Sequence, residues 1–405
     1  MARVVVVTAE PMLDVHTGAA IYTFHFLRYL AQRHEVHLVV LRGGSGSTAN
    51  PDNAWSVHNL SHRAAGAKRL RQLLAVCSTR TMQEMQIDFP GCVGSLTKLV
   101  ERLRPDAVFL DHIRAAWVAR NWKRPNCPVV YIAHNCEAAA CLSLSQMEFG
   151  YATRAALRWD AMKLRALETR ILGSVDACVC LSDEDVTRFE QCSATCRFEV
   201  IPPTVVPVGL FGNPGRQRPN SLLLLGSFDW APKRRNAIWL ATRVFSRVRA
   251  QYPDATLRIV GKGARRLAND LGDRPGVELH SDVAAVLPFY EEAQIAVVPE
   301  QQASGLKLKT LEAANHGVAI VTTSSGREGT RLVDRTHCLV ADDETGFASA
   351  IVELLGDGTL RQTLADAAHQ RVQDHFAPDR VSSMVEQVVF HLCERNQTLC
   401  CGAEQ

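Results

Sequence analysis

The sequence predicts an α/β protein made of two successive doubly wound domains, and three observations carry that prediction. Short β-branched runs alternate with segments of helical period along most of the chain, the pattern of parallel sheets covered by helices on both faces. A stretch rich in Pro and Gly, PPTVVPVGLFGNPGRQRPN at residues 202–220, interrupts the alternation, which then restarts. Within the restart, residues 298–323 (VPEQQASGLKLKTLEAANHGVAIVTT) read as strand, polar loop, helix and strand.

Taken in order, the first half places strands at residues 3–8, 35–41, 107–110, 129–133 and 177–181, with helices at 20–33, 94–104 and 151–174. The second half places strands at 221–226, 256–261, 277–280, 295–299 and 318–323, with helices at 236–251 and 283–293. Helices at 344–355 and 360–374 follow, then an amphipathic stretch at 378–394. The expected organisation is a Rossmann-like domain over 1–205, a second over 206–377, a closing helix over 378–394 that returns to the first domain, and a fraying tail over 395–405.

Composition narrows the function classes. A chain of 405 residues with 47% hydrophobic content can bury two or three cores, and a net charge of +3 with mixed acids and bases sets up no field for nucleic acid. No apolar run approaches a membrane span, and the chain passes from Arg3 directly into VVVVTA without the order of a signal peptide. A cytoplasmic location is expected, with peripheral contact at the inner membrane face left open. The 13 cysteines are odd in number and scattered without a Cys-x-x-Cys, which reads as reduced thiols and no metal site.

In open α/β sheets the loops after the strands carry the site. In the 298–323 unit the helix is expected from Leu306 and ends at Gly317 as the C′ glycine. Its unbonded first amides, bordered by Lys307 and Lys309, suit a diphosphate, and Glu312 two turns on suits ribose hydroxyls. A plain βαβ unit with solvated charges is the alternative. Gly18, after Thr17 at another helix start, is a second phosphate-sized entry. His134, followed by Asn135, comes after one strand, where a neutral imidazole suits a sugar hydroxyl or a developing charge, and Asp111 and His112 end another as candidates for contact with the acceptor. Lys233, Arg234 and Arg235 are expected in a loop after Gly226, as cations for a leaving diphosphate. Between 54 and 83, Lys68, Arg69 and Arg71 lie beside leucines as a basic amphipathic face, suited to an anionic acceptor or lipid surface or merely solvated.

Across the whole chain the order of YIAHNCE, DACVCLSDEDVTRF, LLLLGSFDWAPKRRNAIWL, LRIVGKG, the 298–323 segment and GREGTRLVDRTHCLVADD resembles the retaining glycosyltransferases of the GT-B fold that use nucleotide sugars. The resemblance implies two facing Rossmann-like domains and a nucleotide-diphosphate sugar as co-substrate, with no metal or other cofactor. It implies a glycan, lipid-linked or small-molecule acceptor. By the same resemblance Glu312 holds the ribose, the Gly305 and Leu306 amides bind phosphate or sugar, Gly18 lies near the acceptor and diphosphate, His134 meets the donor sugar, and Lys233 meets the diphosphate. Two positions depart from the family pattern: Ser304 stands where a first glutamate is usual, and Ser227 where an arginine is usual. A partner subunit with weakened catalysis and a nucleotide-sugar epimerase on the same scaffold are the alternative readings.

Overall fold

The computed structural model describes residues 1–11, 18–42, 50, 53–60, 78–87, 91–147, 150–193, 195–208, 217–302 and 305–402. The chain forms two units, Met1–Thr204 with Asp379–Gln405, and Val205–Pro378.

The first unit holds seven strands: β1 Arg3–Thr8, β2 Glu35–Val40, β3 Ser56–Asn59, β4 Ala107–Asp111, β5 Val129–Ala133, β6 Ala177–Cys180 and β7 Arg197–Val200. All pair in parallel, in the order β3-β2-β1-β4-β5-β6-β7. Strand side chains alternate between two cores. Val5, Val7, Val108 and Leu110 pack with the Cys92–Leu103 and Tyr151–Leu172 helices. Val4, Val6, Phe109 and Ile132 pack with the Gly18–Ala31 helix and with Val381, Val385 and Val389 of the closing helix. Val385 and Val389 are 0% and 1% exposed, and each contributes about 1.5–3 kcal/mol by leaving water. That closing helix spans Pro378–Gly402, so it runs past Glu394, where it was expected to stop, through residues expected to fray.

The second unit holds β8 Ser221–Leu225, β9 Thr256–Gly261, β10 Val277–Ser281, β11 Ile295–Val298, β12 Ala319–Thr322 and β13 Leu339–Val340, all parallel, in the order β10-β9-β8-β11-β12-β13. In each sheet the strand order reverses once, between β1 and β4 and between β8 and β11, so each has a crevice at the carboxyl ends of those strands. Strands β3, β7 and β13 were absent from the sequence reading.

Two helix starts correct it. Trp230 is the N-cap of an Ala231–Trp239 helix with Pro232 in its first turn, so Lys233, Arg234 and Arg235 lie on the helix and not in the expected loop. A π-helical turn at Leu240–Val244 links it to the Phe245–Gln251 helix. The helix expected from Leu306 spans Leu308–Asn315, which puts Glu312 only about 6 Å along its axis at ~1.5 Å per residue. Its end follows expectation: Gly317 has φ +66, and Val318 N–H donates to Ala313 O at 3.1 Å.

Candidate functional site

The first unit gathers its polar side chains at the carboxyl ends of β4 and β5. Gly18 is the first residue of the Gly18–Ala31 helix, and one turn later Thr23 Oγ1 donates to Asp111 Oδ2 at 2.8 Å. The other carboxylate oxygen of Asp111 accepts from His134 Nε2 at 2.7 Å. Asp111 and His134 are 6% and 5% exposed, so this acid–imidazole pair is desolvated and held in one geometry. The Tyr22 ring meets the His134 ring edge-on at 5.1 Å, and burial, then the Asp111 charge, push the Tyr22 phenol well above its ordinary range.

His112 follows Asp111 with φ 67 and ψ 153, a conformation that costs a side-chain-bearing residue about 1–3 kcal/mol. The surrounding bonds enforce it. Its amide donates to Ile132 O at 2.9 Å, its Nδ1 accepts from Arg114 N at 3.2 Å, and its Nε2 lies 3.4 Å from Glu137 Oε1. The His112 and His134 rings are 5.2 Å apart. Burial opposes ionisation of Glu137, yet the bond and charge of His112, with hydrogen bonds from Gln83 and Asn135, hold its carboxyl at about 2. Sequence reasoning brought out Asp111, His112 and His134 and missed Thr23 and Glu137. The only signal for Glu137 was its place three residues after His134 in HNCE.

Behind this cluster Glu168 takes the Glu137 and Ala138 amides at 2.6 and 3.4 Å, capping the Glu137–Ser145 helix. Burial, together with the Glu137 charge, pushes the Glu168 carboxyl up to about 8 although those amides pull it down.

The second unit assembles a different set at the ends of β8, β9, β11 and β12. A Cβ on Gly261, at φ +137, would stand 2.0 Å from Gly226 O, so β8 and β9 end in direct backbone contact. Three cations in the opening turns of the Ala231–Trp239 helix oppose its dipole. Lys233 is compensated by an ion pair with Glu300, just after β11, and Asn236 Nδ2 donates to the second Glu300 oxygen at 3.1 Å. Arg234 Nη1 donates to the Phe228 and Asp229 carbonyls at 2.8 and 2.9 Å, which commits its guanidinium to the loop after β8. Ser227 is exposed in that loop.

Gly305 adopts φ +60, with Leu306 and Lys307 leading into the helix. Lys307 Nζ donates to Gly305 O at 2.7 Å, and Lys309 Nζ pairs with Glu312 Oε2 at 2.6 Å. The loop after β12 braces this entry: Thr310 Oγ1 donates to Gly326 O at 2.6 Å, Thr323 Oγ1 donates to Glu300 O, and a Cβ on Gly329 would meet Leu306 Cα at 2.9 Å. Glu300 was missed by sequence reasoning because PEQQ offers no spacing signal. Ser304, Lys68, Arg69 and Arg71 lie outside the described residues. Among the described residues no group of acids, histidines and cysteines is arranged to hold a metal, and ten described cysteines are free thiols.

Family models match both units. One described as Glycosyl transferases group 1 matches residues 219–357, and one described as Glycosyltransferase Family 4 matches residues 16–207. The chain belongs to the group 1 glycosyltransferases.

Among solved structures, this glycosyltransferase is similar to sucrose-phosphate synthase from Thermosynechococcus elongatus, with a TM-score of 0.71 at 16% identity over 97% of this chain and 99% of that one. Anabaena HepE in complex with UDP and glucose gives 0.64 at 13% over 96% and 99%. WaaG, a glycosyltransferase involved in lipopolysaccharide biosynthesis, gives 0.63 at 16% over 94% and 99%. These likenesses establish the GT-B fold. A curated relative, an uncharacterized 44.6 kDa protein in the cps region of Klebsiella pneumoniae, is 25% identical over 175 residues, or 41% of the glycosyltransferase and 45% of the relative. Among the described residues no helix is long and apolar enough to cross a membrane.

Proposed function

We propose that the chain transfers a sugar from a nucleotide-diphosphate sugar to an acceptor hydroxyl with retention of anomeric configuration, in glycan or polysaccharide biosynthesis. The observation that carries this reading is the set of ion pairs at the carboxyl ends of the second sheet. Lys233 with Glu300 and Lys309 with Glu312 keep two cations in place against paired acids, beside the turn at Gly305. A diphosphate entering there takes over Lys233 and the backbone amides from Gly305 onward, while Glu312 accepts the ribose hydroxyls. HepE, named with UDP and glucose, supports a nucleotide-sugar donor, and the cps-region relative and WaaG support a polysaccharide pathway.

In the proposed step the acceptor oxygen bonds to the anomeric carbon on the face the diphosphate leaves. The carbon–oxygen bond to phosphate breaks, and the acceptor proton passes to the departing phosphate oxygen. The protein's part is to orient the reactants and stabilise charge, with Lys233 at the leaving group and His134 as a hydrogen-bonding imidazole whose tautomer Asp111 sets. No bound metal is needed, because the lysines and amides neutralise the diphosphate.

Incubation with a panel of nucleotide sugars and candidate acceptors, read by nucleoside diphosphate release and by the anomeric coupling in the product's NMR spectrum, tests this. Release with an axial product from an axial donor is the expected result, and an inverted product overturns retention. Tight nucleotide binding without turnover across the panel favours the partner-subunit reading, which the exposed Ser227 in the place of an arginine motivates.

A further inference from the structure

We infer that the groove between β3 and the Cys92–Leu103 helix binds a phosphoryl group of the acceptor, held by Arg102, Lys98 and His58. This rests on the transferase reading only for calling the ligand an acceptor. The groove is a cavity of about 510 Å³ whose lining includes these three side chains with Asn59 and Ser95 and, among the described residues, no carboxylate. Lys98 and Arg102 are four apart on one helix, where like charges repel, and both are exposed. Among the described residues neither has an acidic partner, in contrast to Lys233 and Lys309. Two cations stand at one opening with an amide and a hydroxyl that can each donate and an imidazole that donates through Nδ1 once protonated, and an anion with several oxygens satisfies them together.

The histidine joins this set on gaining a proton. Arg3, then His37, hold the Glu35 carboxyl below its ordinary value, so it accepts from His37 Nε2 at 3.0 Å. His37 Nδ1 then accepts from His58 Nε2 at 3.1 Å, and His58 Nδ1 is the ring atom left for a ligand. Among the described residues the charged groups around His58 are Glu35 and His37 on β2, Arg3 on β1, and Lys98 and Arg102 on the helix. Burial, then the charges of His37 and Arg102, lower the His58 pKa. A bound anion reverses that balance and draws a proton onto His58, so affinity rises as pH falls through the His58 titration, by up to roughly tenfold per pH unit.

Position points to the size of the ligand. Asn59 ends β3 at the same carboxyl end of the parallel sheet as Asp111 ends β4, three interstrand spacings or about 14 Å across, but the groove lies on the face of the Cys92–Leu103 helix and Asp111 turns to Thr23 of the Gly18–Ala31 helix on the other. A phosphoryl group here therefore lies farther from Asp111 than that lateral spacing and belongs to an extended ligand that rounds the strand ends, as in a phosphorylated glycan, free or lipid-linked.

The test follows the His58 imidazole signals by NMR, assigned with His58→Asn, while inorganic pyrophosphate is added to the full chain and to Lys98→Ser/Arg102→Ser. Expected are a shift of the His58 signals and roughly tenfold weaker binding by the double variant. Unmoved His58 signals, or equal affinity in the two proteins, overturn the proposal. Both substitutions are at exposed positions, so the fold is retained and unchanged thermal unfolding confirms it. Cosedimentation with phosphatidylcholine vesicles containing phosphatidic acid separates the sources: recruitment lost in the double variant assigns the group to a lipid, and pyrophosphate binding without recruitment assigns it to a soluble glycan. Neither readout needs turnover, so failure here leaves the transferase reading intact, and absent transfer leaves the groove intact.

Discussion

The polar cluster of the first unit and that of the second occupy equivalent places, each at a strand-order reversal, yet they are built on opposite principles. Asp111, His134 and Thr23 are buried and satisfied by one another at 2.7 and 2.8 Å, so nothing has to move for them to stay in register. Lys233 and Lys309 are partly exposed and are paired with acids, and an incoming anion must compete with those acids. The first cluster is a rigid frame in which each bond fixes the next. The second is a set of exchangeable pairs, where the free state already holds positive charge near the place a diphosphate would need it.

Breaking the frame gives the largest effect. Asp111→Ala strands His134 and Thr23 in a buried site, and a loss of about 3 kcal/mol in urea unfolding is expected together with loss of nucleoside diphosphate release. Stability within ~0.5 kcal/mol of the parent would show that the frame is not rigid. The exchangeable set responds through function instead. Lys233→Ala slows transfer by about 10²-fold with little change in donor KM, while Glu312→Ala weakens nucleotide binding by roughly tenfold in calorimetry. If both act on binding alone, the pairs serve only to hold the donor.

A pH series sharpens the comparison within the first unit. Glu168 is raised from its ordinary value of 4.5 to about 8. Its contribution to stability is therefore complete below 4.5 and declines as pH rises toward 8, because the unfolded chain releases the proton first. Glu168→Gln keeps an acceptor for the Glu137 and Ala138 amides and flattens the unfolding midpoint across that window. An unchanged slope would move the cause elsewhere. Glu137, held at about 2, acts in the opposite sense, and its contribution is lost only as pH falls from 4.5 toward 2. The smallest effect is expected from Arg234→Ala: about 1 kcal/mol of stability from two lost carbonyl bonds, with transfer within about twofold of the parent. A large fall in transfer would return Arg234 to the diphosphate.

Which parts of this were legible in the sequence follows from burial. Strands β1, β2, β4, β5 and β6 are interior to their sheet, or nearly so, and read as β-branched or apolar runs. The three missed strands, SVHN, RFEV and LV, are all at sheet edges, where one side is unpaired and polar residues are tolerated. In the site, residues at strand ends such as Asp111 and His134 could be placed because the crevice rule names their position. Their partners could not, since Thr23 reaches Asp111 from 88 residues away and Glu300 reaches Lys233 from 67. The start of the Ala231–Trp239 helix was missed for a local reason. Its three cations sit where the dipole disfavours them, and that cost is offset by groups distant in sequence or outside the helix, Glu300 at Lys233 and the Phe228 and Asp229 carbonyls at Arg234.

The placement of the closing helix also sets the order in which the chain can mature. Val381, Val385, Val388, Val389 and Leu392 fill one core of the first unit, together with Val4 and Val6 of β1, made far earlier. The second unit is one continuous stretch whose entry and exit are tied by Val205 N–H to Phe376 O at 2.8 Å, so its core needs no residue beyond Pro378. The first unit must wait for residues 381–392, with Val4, Val6 and Phe109 covered on that face only in part, by the Gly18–Ala31 helix, until then. The earliest strands of the first unit are thus finished only by residues that follow the second unit, and a chain cut between Pro378 and Val381 keeps the whole second unit attached to a sheet that has the Gly18–Ala31 helix but not the closing helix on that face.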